Sequence, residues 1–241
     1  MSHLALIVTA AAFAAAAGPA AHHWSYAGKE GPAHWGGTCK TGRAQSPLDM
    51  KTAAAKAEKL PPLVFDYRPA PLHIIDNGHT VQVDVEPGSS LNVGHEHYSL
   101  VQFHFHKPSE EAIDGRHYAM VAHFVHKNAK GELAVVAVLL KAGEDNPLVD
   151  TLWRNVPHQK GREEVLHAIV INPAQLLPVN RAYFTYRGSL TSPPCTEGVR
   201  WFVIKSPSSI GLNQIVAFGR LYPLNARPVQ PLNKREVLAS E

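Results

Sequence analysis

The sequence predicts one mostly β domain of the α+β class, with a central twisted, largely antiparallel sheet and short helices at its periphery. Between about residues 63 and 204, apolar residues alternate with polar ones or form runs of four to eight, separated by Gly, Pro, Asn and Asp. That pattern is typical of strands joined by turns. The 241 residues, 45% of them hydrophobic, can bury one sizeable core. Neither an internal repeat nor a low-complexity linker divides the chain after residue 21.

The predicted strands lie, in chain order, at 73–75, 81–86, 100–106, 119–126, 133–140, 167–171 and 199–205. Helical patterns are fewer. Segment 52–59 is rich in Ala and Lys, segment 147–155 opens with Pro, and segment 208–221 opens with Ser and contains several large apolar residues. We predict short helices at these three places.

The first 21 residues have the composition of an export signal. Residues 4–21 form an apolar, alanine-rich run that ends in small residues, as in a secretory signal peptide. No Lys or Arg precedes the run, so a membrane anchor is the alternative. Because the run is short for a span and contains Gly18 and Pro19, we expect no stable anchor. We assign 1–21 to a signal peptide and 22–241 to the mature domain of an exported protein, periplasmic or extracellular.

Charge and cysteine content limit the partners and the compartment. The formal net charge is only +3, and no basic run interleaved with aromatic residues occurs, so we expect no nucleic-acid partner. Cys39 and Cys195 are the only cysteines. In an exported chain an even count favours a disulfide, and two buried free thiols are the alternative.

Three histidines have the pattern of a catalytic metal site. Because side chains alternate along a strand, Gln102, His104 and His106 lie on one face of segment 100–106. His123 lies in a second predicted strand, and an antiparallel neighbour would place it beside the first two. Three neutral imidazoles with a vacant fourth position are a catalytic zinc arrangement.

The histidine pattern is not specific by itself, because the chain contains 15 histidines. A second H-x-H pair, His95 and His97, follows a turn-forming glycine, where we expect solvated loop histidines. His126 is three residues past His123, so it faces the other side of the strand and serves the core or the surface.

Seven short motifs occur in one order along the chain. They are QSPLD at 45–49, DNGH at 76–79, QFHFH at 102–106, PSE at 108–110, AHFVH at 122–126, SLTSPP at 189–194 and RPVQPLN at 227–233. On these motifs the chain resembles the secreted bacterial alpha carbonic anhydrases from about Trp24 to Asn233. The resemblance implies a zinc lyase with CO₂ and bicarbonate as its small-molecule substrates. Residues 22–241 would then form the catalytic domain, and His104, His106 and His123 would bind Zn²⁺.

The resemblance also implies roles for other residues. Zinc-bound hydroxide would attack CO₂, oriented by a gate formed by Thr191 and the buried Glu110, and His79 would shuttle the proton. Without the resemblance, an exposed loop carboxylate and a turn hydroxyl would be the simpler expectations for the gate pair. Residues implied to line the substrate site are Val125, Val135, Leu190, Thr191, Ser192, Val199 and Trp201. Gln102 would hold the second nitrogen of the first ligand, and Tyr26, Asn77 and Gln82 would line the water path. A Cys39–Cys195 disulfide and cis bonds before Pro47 and Pro194 are implied as well.

One departure from the family pattern concerns the third ligand. Val121 stands where many relatives have a glutamate that hydrogen-bonds this histidine. We therefore expect His123 to lack a charged partner, with weaker metal binding or a less basic hydroxide as the result.

Two other functions are compatible with this fold. The first is a catalytically silent carbonic-anhydrase-like binding domain, whose sequence would lack a ligand. The second is zinc esterase activity as a side reaction, since hydroxide on zinc can attack other carbonyls. A homodimer is compatible with the sequence.

Overall fold

The structure is a computed structural model that describes residues 23–241. The predicted signal peptide, residues 1–21, lies outside the described residues. Between residues 23 and 241, no helix combines the length and apolar character needed to cross a bilayer.

Strands dominate the described part of the chain. In order they are β1 (Asp49–Met50), β2 (Lys56–Glu58), β3 (Leu63–Asp66), β4 (Ala70–Asp76), β5 (Val81–Asp84), β6 (Ser90–Val93), β7 (Glu96–His106), β8 (Ala112–Ile113), β9 (Arg116–His117), β10 (Met120–Lys127), β11 (Leu133–Gly143), β12 (Glu163–Ile171), β13 (Tyr183–Ser189), β14 (Glu197–Ile204), β15 (Ser208–Gly211) and β16 (Leu238–Ser240). The α-helices are α1 (Thr38–Thr41), α2 (Pro147–Arg154) and α3 (Leu212–Leu221), and short 3₁₀ turns span Gly28–Glu30, Pro32–His34 and Pro173–Leu176.

One large sheet organises the domain. Its main path runs β12-β4-β5-β7-β10-β11-β14-β13-β16-β2, with β3, β6 and β15 paired beside it. Most neighbours are antiparallel, whereas β11 runs parallel to both β14 and β15, and β16 runs parallel to β2. Strands β1, β8 and β9 form a small second sheet. This confirms the predicted mostly β fold with a largely antiparallel, twisted central sheet and short peripheral helices.

Both faces of the sheet centre are buried, which explains the nearly unbroken apolar run of β11. Val136 and Val138 point into the larger core, where Phe103, Phe105 and Phe124 also pack. The side chains of β11 that alternate with these valines point into a smaller core on the other face of the sheet. That core contains Val121, Val135, Ala137, Leu139, Val199, Trp201 and Val203. By the alternation of β7, His104 and His106 lie on this second face.

The structure confirms all seven predicted strands, with shifted ends, and the helix at 147–155. That helix, α2, begins after Asn146, whose side-chain oxygen accepts from the backbone N–H groups of Leu148 and Val149. The predicted cis bonds before Pro47 and Pro194 are present, together with one before Pro108.

Two helix predictions are corrected. In segment 52–59 the backbone N–H groups of Ala54 and Ala55 donate to the Lys51 carbonyl, which closes a single turn. The chain then becomes strand β2, because the Lys56 N–H donates to the Val237 carbonyl and the strand pairs with β16. Residues 208–211 form β15 beside β11, so the third helix begins only at Leu212. In both places pairing with a distant strand overrides a local helical preference.

Candidate metal centre and active site

The three predicted ligands converge on one point of the sheet. His104 on β7 and His123 on β10 are direct cross-strand partners, and His106 lies two residues further along β7 on the same face. One nitrogen from each ring lies within 4.8 Å of the others. Neighbouring β-strands run only about 5 Å apart, so cross-strand pairing brings His123 beside His104, and the period of two along β7 adds His106 on the same face.

Each ring is held by its other nitrogen. His104 Nδ1 lies 2.8 Å from Gln102 Oε1, and His106 Nδ1 lies 2.7 Å from the backbone carbonyl of Asn225. His123 is held at Nε2, 3.0 Å and 3.1 Å from the two carboxylate oxygens of Glu111. These acceptors place the proton on the outer nitrogen of each ring and leave the inner lone pair free.

The donor set fits zinc. Among the described residues, His106 Nε2 is a buried nitrogen without a hydrogen-bond partner, an arrangement that costs free energy unless something binds it. Burial, reinforced by the neighbouring His123, lowers the pKa of His104 to about 3. Burial and its neighbours His123 and His104 likewise lower the pKa of His106. Both rings are therefore neutral at physiological pH, as metal ligands must be.

The predicted gate residues lie next to this point. Glu110 is fully buried, and its Oε1 accepts the backbone N–H of Arg227 at 2.7 Å. Its Oε2 has no hydrogen-bond partner within residues 23–241 and lies 3.9 Å from His123 Nδ1. Burial raises the pKa of Glu110 to about 7, while His123, the Arg227 N–H and the side chain of Thr191 act to lower it. The expectation of an exposed carboxylate, drawn without the resemblance, is wrong.

The predicted apolar residues form a row beside the histidines. Val125 pairs with Val135 across β10 and β11, and Val135 pairs with Trp201 across β11 and β14. His123 pairs with Ala137 in the adjacent row, and its ring meets Trp201 edge to face at 5.0 Å. Val199 packs in the same smaller core and Leu190 against it. The ring of His123 thus lies directly against an apolar wall.

Comparison with known proteins identifies the family. The family model described as eukaryotic-type carbonic anhydrase matches residues 30–241. The chain belongs to the alpha carbonic anhydrase family. A carbonic anhydrase from Nostoc sp. is 43% identical over 225 residues, covering 90% of this chain and 85% of that protein. One from Pectobacterium carotovorum is 40% identical, covering 90% of each chain.

Solved structures show the same likeness. The alpha carbonic anhydrase of Thermovibrio ammonificans, in a complex with the inhibitor sulfanilamide, superposes with a TM-score of 0.86 at 41% identity. The alignment covers 90% of this chain and 98% of that one. These findings confirm the family, the enzyme class and the small-molecule substrate CO₂ that the motifs predict.

In this alpha carbonic anhydrase, His79 sits in a well-defined turn. The side-chain oxygen of Asn77 accepts the backbone N–H groups of His79 and Thr80, each at 2.9 Å. The His79 ring is partly exposed and stacks on Trp24, with ring centroids 3.8 Å apart. Partial burial, with the positive charges of His23 and Lys160, lowers its pKa below the usual value.

The residues implied to line the water path lie between this turn and the histidines. Asn77 donates to Gln82 Oε1 at 3.3 Å, and Gln82 is the cross-strand partner of His104. The Tyr26 ring lies with its centroid 6.4 Å from that of His106.

The disulfide implied by the family resemblance is present. Cys39 and Cys195 are bonded across 156 positions of sequence. Cys195 follows Thr191 and Ser192 closely, and its N–H donates to the Ser192 carbonyl at 2.9 Å. The bridge therefore holds the loop that carries Thr191 against the N-terminal segment.

The expectation that His123 lacks a charged partner is wrong. Val121 is fully buried among apolar residues, but Glu111 approaches from the segment before β8 and contacts His123 Nε2. The sequence contained a weak signal, since Glu111 directly follows the gate carboxylate. Asn225, Trp24 and Arg227 also escaped sequence reasoning, because each reaches the site from a loop without periodic pattern.

The second H-x-H pair is exposed, as expected, but only one of its members lies in a loop. His95 lies in the turn before β7, whereas His97 belongs to β7 itself, because the strand begins already at Glu96. His126 belongs to the core, where the Tyr67 hydroxyl lies 2.7 Å from its Nε2. A bulge between Val125 and His126 accompanies this placement.

Proposed function

We propose that this chain catalyses the reversible hydration of CO₂ to bicarbonate and a proton at a Zn²⁺ ion held by His104, His106 and His123. The observation that carries the proposal is the set of three converging imidazoles, two of them buried and one partly buried, each with its outer nitrogen on a protein acceptor. Zinc bound there would supply a Lewis acid that makes water acidic enough to react near neutral pH.

Thr191 and Glu110 orient the nucleophile. In this proposal the Thr191 hydroxyl donates to Oε2 of Glu110, a buried oxygen without a hydrogen-bond partner within residues 23–241 whose carboxyl pKa the Thr191 side chain acts to lower. Because the Thr191 hydroxyl has then used its proton, its oxygen can only accept a hydrogen bond, and the donor is the attacking group. The backbone N–H of Arg227 holds the other carboxylate oxygen, so the direction of this hydrogen-bond chain is set.

The apolar wall receives CO₂, which has no net dipole and gains nothing from polar contacts. Val125, Val135 and Trp201 exclude water from the side of the triad where the carbon must lie. Leu190, Ser192 and Val199 complete the substrate site.

His79 exports the proton. Its ring is partly exposed, so it can exchange protons with buffer, and the turn built by Asn77 keeps it in place. Tyr26, Asn77 and Gln82 supply hydroxyl and amide groups for a chain of water molecules between the metal side and His79. Gln102 holds the tautomer of His104.

Export and the extent of the catalytic domain are part of the proposal. A disulfide of this kind persists in oxidising compartments, which supports an exported protein, periplasmic or extracellular. Residues 1–21 would be removed as a signal peptide and residues 22–241 would form the catalytic domain. Mass spectrometry of the exported protein tests the cleavage site, and light scattering tests whether the mature chain is a homodimer.

The decisive experiment is stopped-flow CO₂ hydration with the mature chain, with and without a zinc chelator. His104→Ala is the test variant, and His97→Ala is its matched control, because His97 is an exposed histidine of the same strand. We expect hydration that is lost with the chelator and in His104→Ala and retained in His97→Ala.

Two results would contradict the proposal. One zinc per chain without hydration would make this a metal-binding scaffold without catalysis. Zinc content and hydration that survive His104→Ala would place the metal elsewhere. Ester hydrolysis measured on the same samples decides whether that side activity exists.

A further inference from the structure

The third metal ligand is held by a carboxylate that does not come from its own strand. Val121 lies two positions before His123 and therefore on the same face of β10, but its side chain is apolar and fully buried. Its cross-strand neighbours are His106 and Leu139. The position of β10 that could hold an acceptor on the same face, two residues before His123, thus offers none.

Glu111 fills this role from the segment between β7 and β8. Its two carboxylate oxygens lie 3.0 Å and 3.1 Å from His123 Nε2, and the side chain is completely buried. A buried carboxylate is costly without a hydrogen-bond donor, and His123 Nε2–H is the donor that lies within reach. The contact therefore satisfies both groups.

The backbone that presents Glu111 is itself tied down. Ser109 Oγ donates to the Glu111 carbonyl at 2.7 Å and accepts the Tyr118 N–H at 2.8 Å. The next residue, Ala112, donates to the Leu48 carbonyl and begins the small second sheet. The carboxylate is thus part of a rigid element and does not depend on a flexible loop.

The neighbouring glutamate cannot perform the same task. Glu110 Oε2 lies 3.9 Å from His123 Nδ1, on the inner side of the ring, and its Oε1 is occupied by the Arg227 N–H. The two consecutive glutamates therefore flank opposite nitrogens of one imidazole. Only the contact of Glu111 with Nε2 leaves Nδ1 facing the other two ligands.

We propose that Glu111 is the positioning residue of His123, which directs Nδ1 to the metal and sets how tightly zinc is held. This inference rests on the proposed zinc site. Removal of a hydrogen-bond partner of a metal-ligating histidine typically weakens metal binding by about 10- to 100-fold. Glu111→Gln keeps the size of the side chain and loses its charge, so zinc affinity falls by about that factor.

The experiment measures the zinc dissociation constant by competition with a chelator and the rate of zinc loss into excess chelator. Parent, Glu111→Gln, His123→Ala and Asp76→Asn are compared. Asp76→Asn is the matched control, because Asp76 is also a buried carboxylate but accepts from the Tyr222 hydroxyl and the Gly78 N–H instead. We expect the affinity of Glu111→Gln to fall about 10- to 100-fold and that of Asp76→Asn to stay close to the parent value.

A second readout reports the tautomer directly. In the zinc-loaded parent, nitrogen-15 NMR of the histidine side chains should find His123 protonated at Nε2, and His104 and His106 protonated at Nδ1. In Glu111→Gln the Nε2–H signal of His123 should shift and exchange faster with water. A loss of overall stability alone would not move this one resonance.

The outcomes separate this inference from the proposed function. Unchanged zinc affinity in Glu111→Gln, together with loss of zinc in His123→Ala, overturns the role of Glu111 and leaves the zinc site standing. Unchanged affinity in His123→Ala overturns the zinc site itself. If Glu111→Gln does not fold, Glu111→Asp takes its place, since it keeps the charge but withdraws it by one methylene. Parent-like zinc affinity in that variant overturns the proposal.

Discussion

His126 makes the stability of the domain depend on acidity. The ring is completely buried, its Nε2 accepts from the Tyr67 hydroxyl at 2.7 Å, and its Nδ1 lies 3.3 Å from the Ala134 carbonyl. Burial lowers its pKa to about 4, and hydrogen bonds to backbone carbonyls only partly oppose this shift. The folded protein therefore keeps His126 neutral over a pH range in which the unfolded chain protonates it.

The size of the effect follows from the two pKa values. The unfolded histidine titrates near 6.5 and the folded one near 4, and each unit of difference is worth about 1.4 kcal/mol. Because the folded pKa is the lower one, both states hold the ring neutral above pH 6.5. Below that pH the unfolded chain binds the proton first, so the unfolding free energy falls as the pH drops towards 4. Acidification from pH 7.5 to pH 4.0 should therefore cost about 3 kcal/mol of unfolding free energy through this one ring.

The assay compares two chains by urea unfolding at both pH values, with excess chelator throughout so that zinc release does not contribute. The test chain carries Tyr67→Phe and His126→Phe together, because removal of both partners leaves no buried hydroxyl unpaired. All other titrating groups are shared, so the difference between the two pH dependences isolates His126. We expect the test chain to lose about 3 kcal/mol less than the parent. Losses equal to within 1 kcal/mol would refute the reasoning.

Three further predictions concern the disulfide, the proton shuttle His79 and the apolar wall beside the three histidines. Replacement of Cys39 and Cys195 by Ser should lower the unfolding free energy by about 5 kcal/mol, since the bridge closes a loop of 156 positions, and urea unfolding measures this. His79→Ala should lower kcat by about a hundredfold in dilute buffer, with recovery in concentrated imidazole, as stopped-flow hydration would report. Because its pKa is lowered, the proton-transfer step in the parent should have its midpoint below pH 6.5. Val135→Tyr should fill the space beside the histidines and reduce kcat/KM for CO₂ by at least about tenfold, with zinc content unchanged.

Each of these predictions has an outcome that contradicts it. A bridge-free chain as stable as the parent would mean that loop closure contributes little here. Absence of imidazole rescue would remove His79 from the proton path, and full activity in Val135→Tyr would place CO₂ elsewhere.

The sequence predicts well those parts of the site that obey strand periodicity. Alternation along β7 places His104 and His106 on one face, and the structure pairs His123 with His104 across the next strand. The apolar wall follows the same rule, since Val125, Val135 and Trp201 occupy one cross-strand row. Here the alternation of side chains along a strand predicts both the strands of the sheet and the face on which the site residues lie.

Periodicity fails where the partner is distant in sequence. The Ala and Lys residues of 52–59 favour a helix locally, but the N–H of Lys56 finds the carbonyl of Val237, some 180 positions later. A local window contains no information on that partner. The same holds for Asn225, whose backbone carbonyl holds His106 while its side chain bonds the carbonyls of His79 and Phe105.

The replacement of a glutamate by Val121 shows why the absence of a residue from a motif is weak evidence about chemistry. The requirement at His123 is an acceptor near 3 Å from Nε2, and any backbone that passes within side-chain reach can supply it. Strand β10 supplies a valine, and the segment before β8 supplies Glu111. The consecutive carboxylates Glu110 and Glu111 are both fully buried, and they lie near the inner and the outer nitrogen of the His123 ring respectively. Loss of the charge at position 121 therefore leaves the environment of the ligand intact, because what the imidazole requires is defined by distance and direction and not by position along the chain.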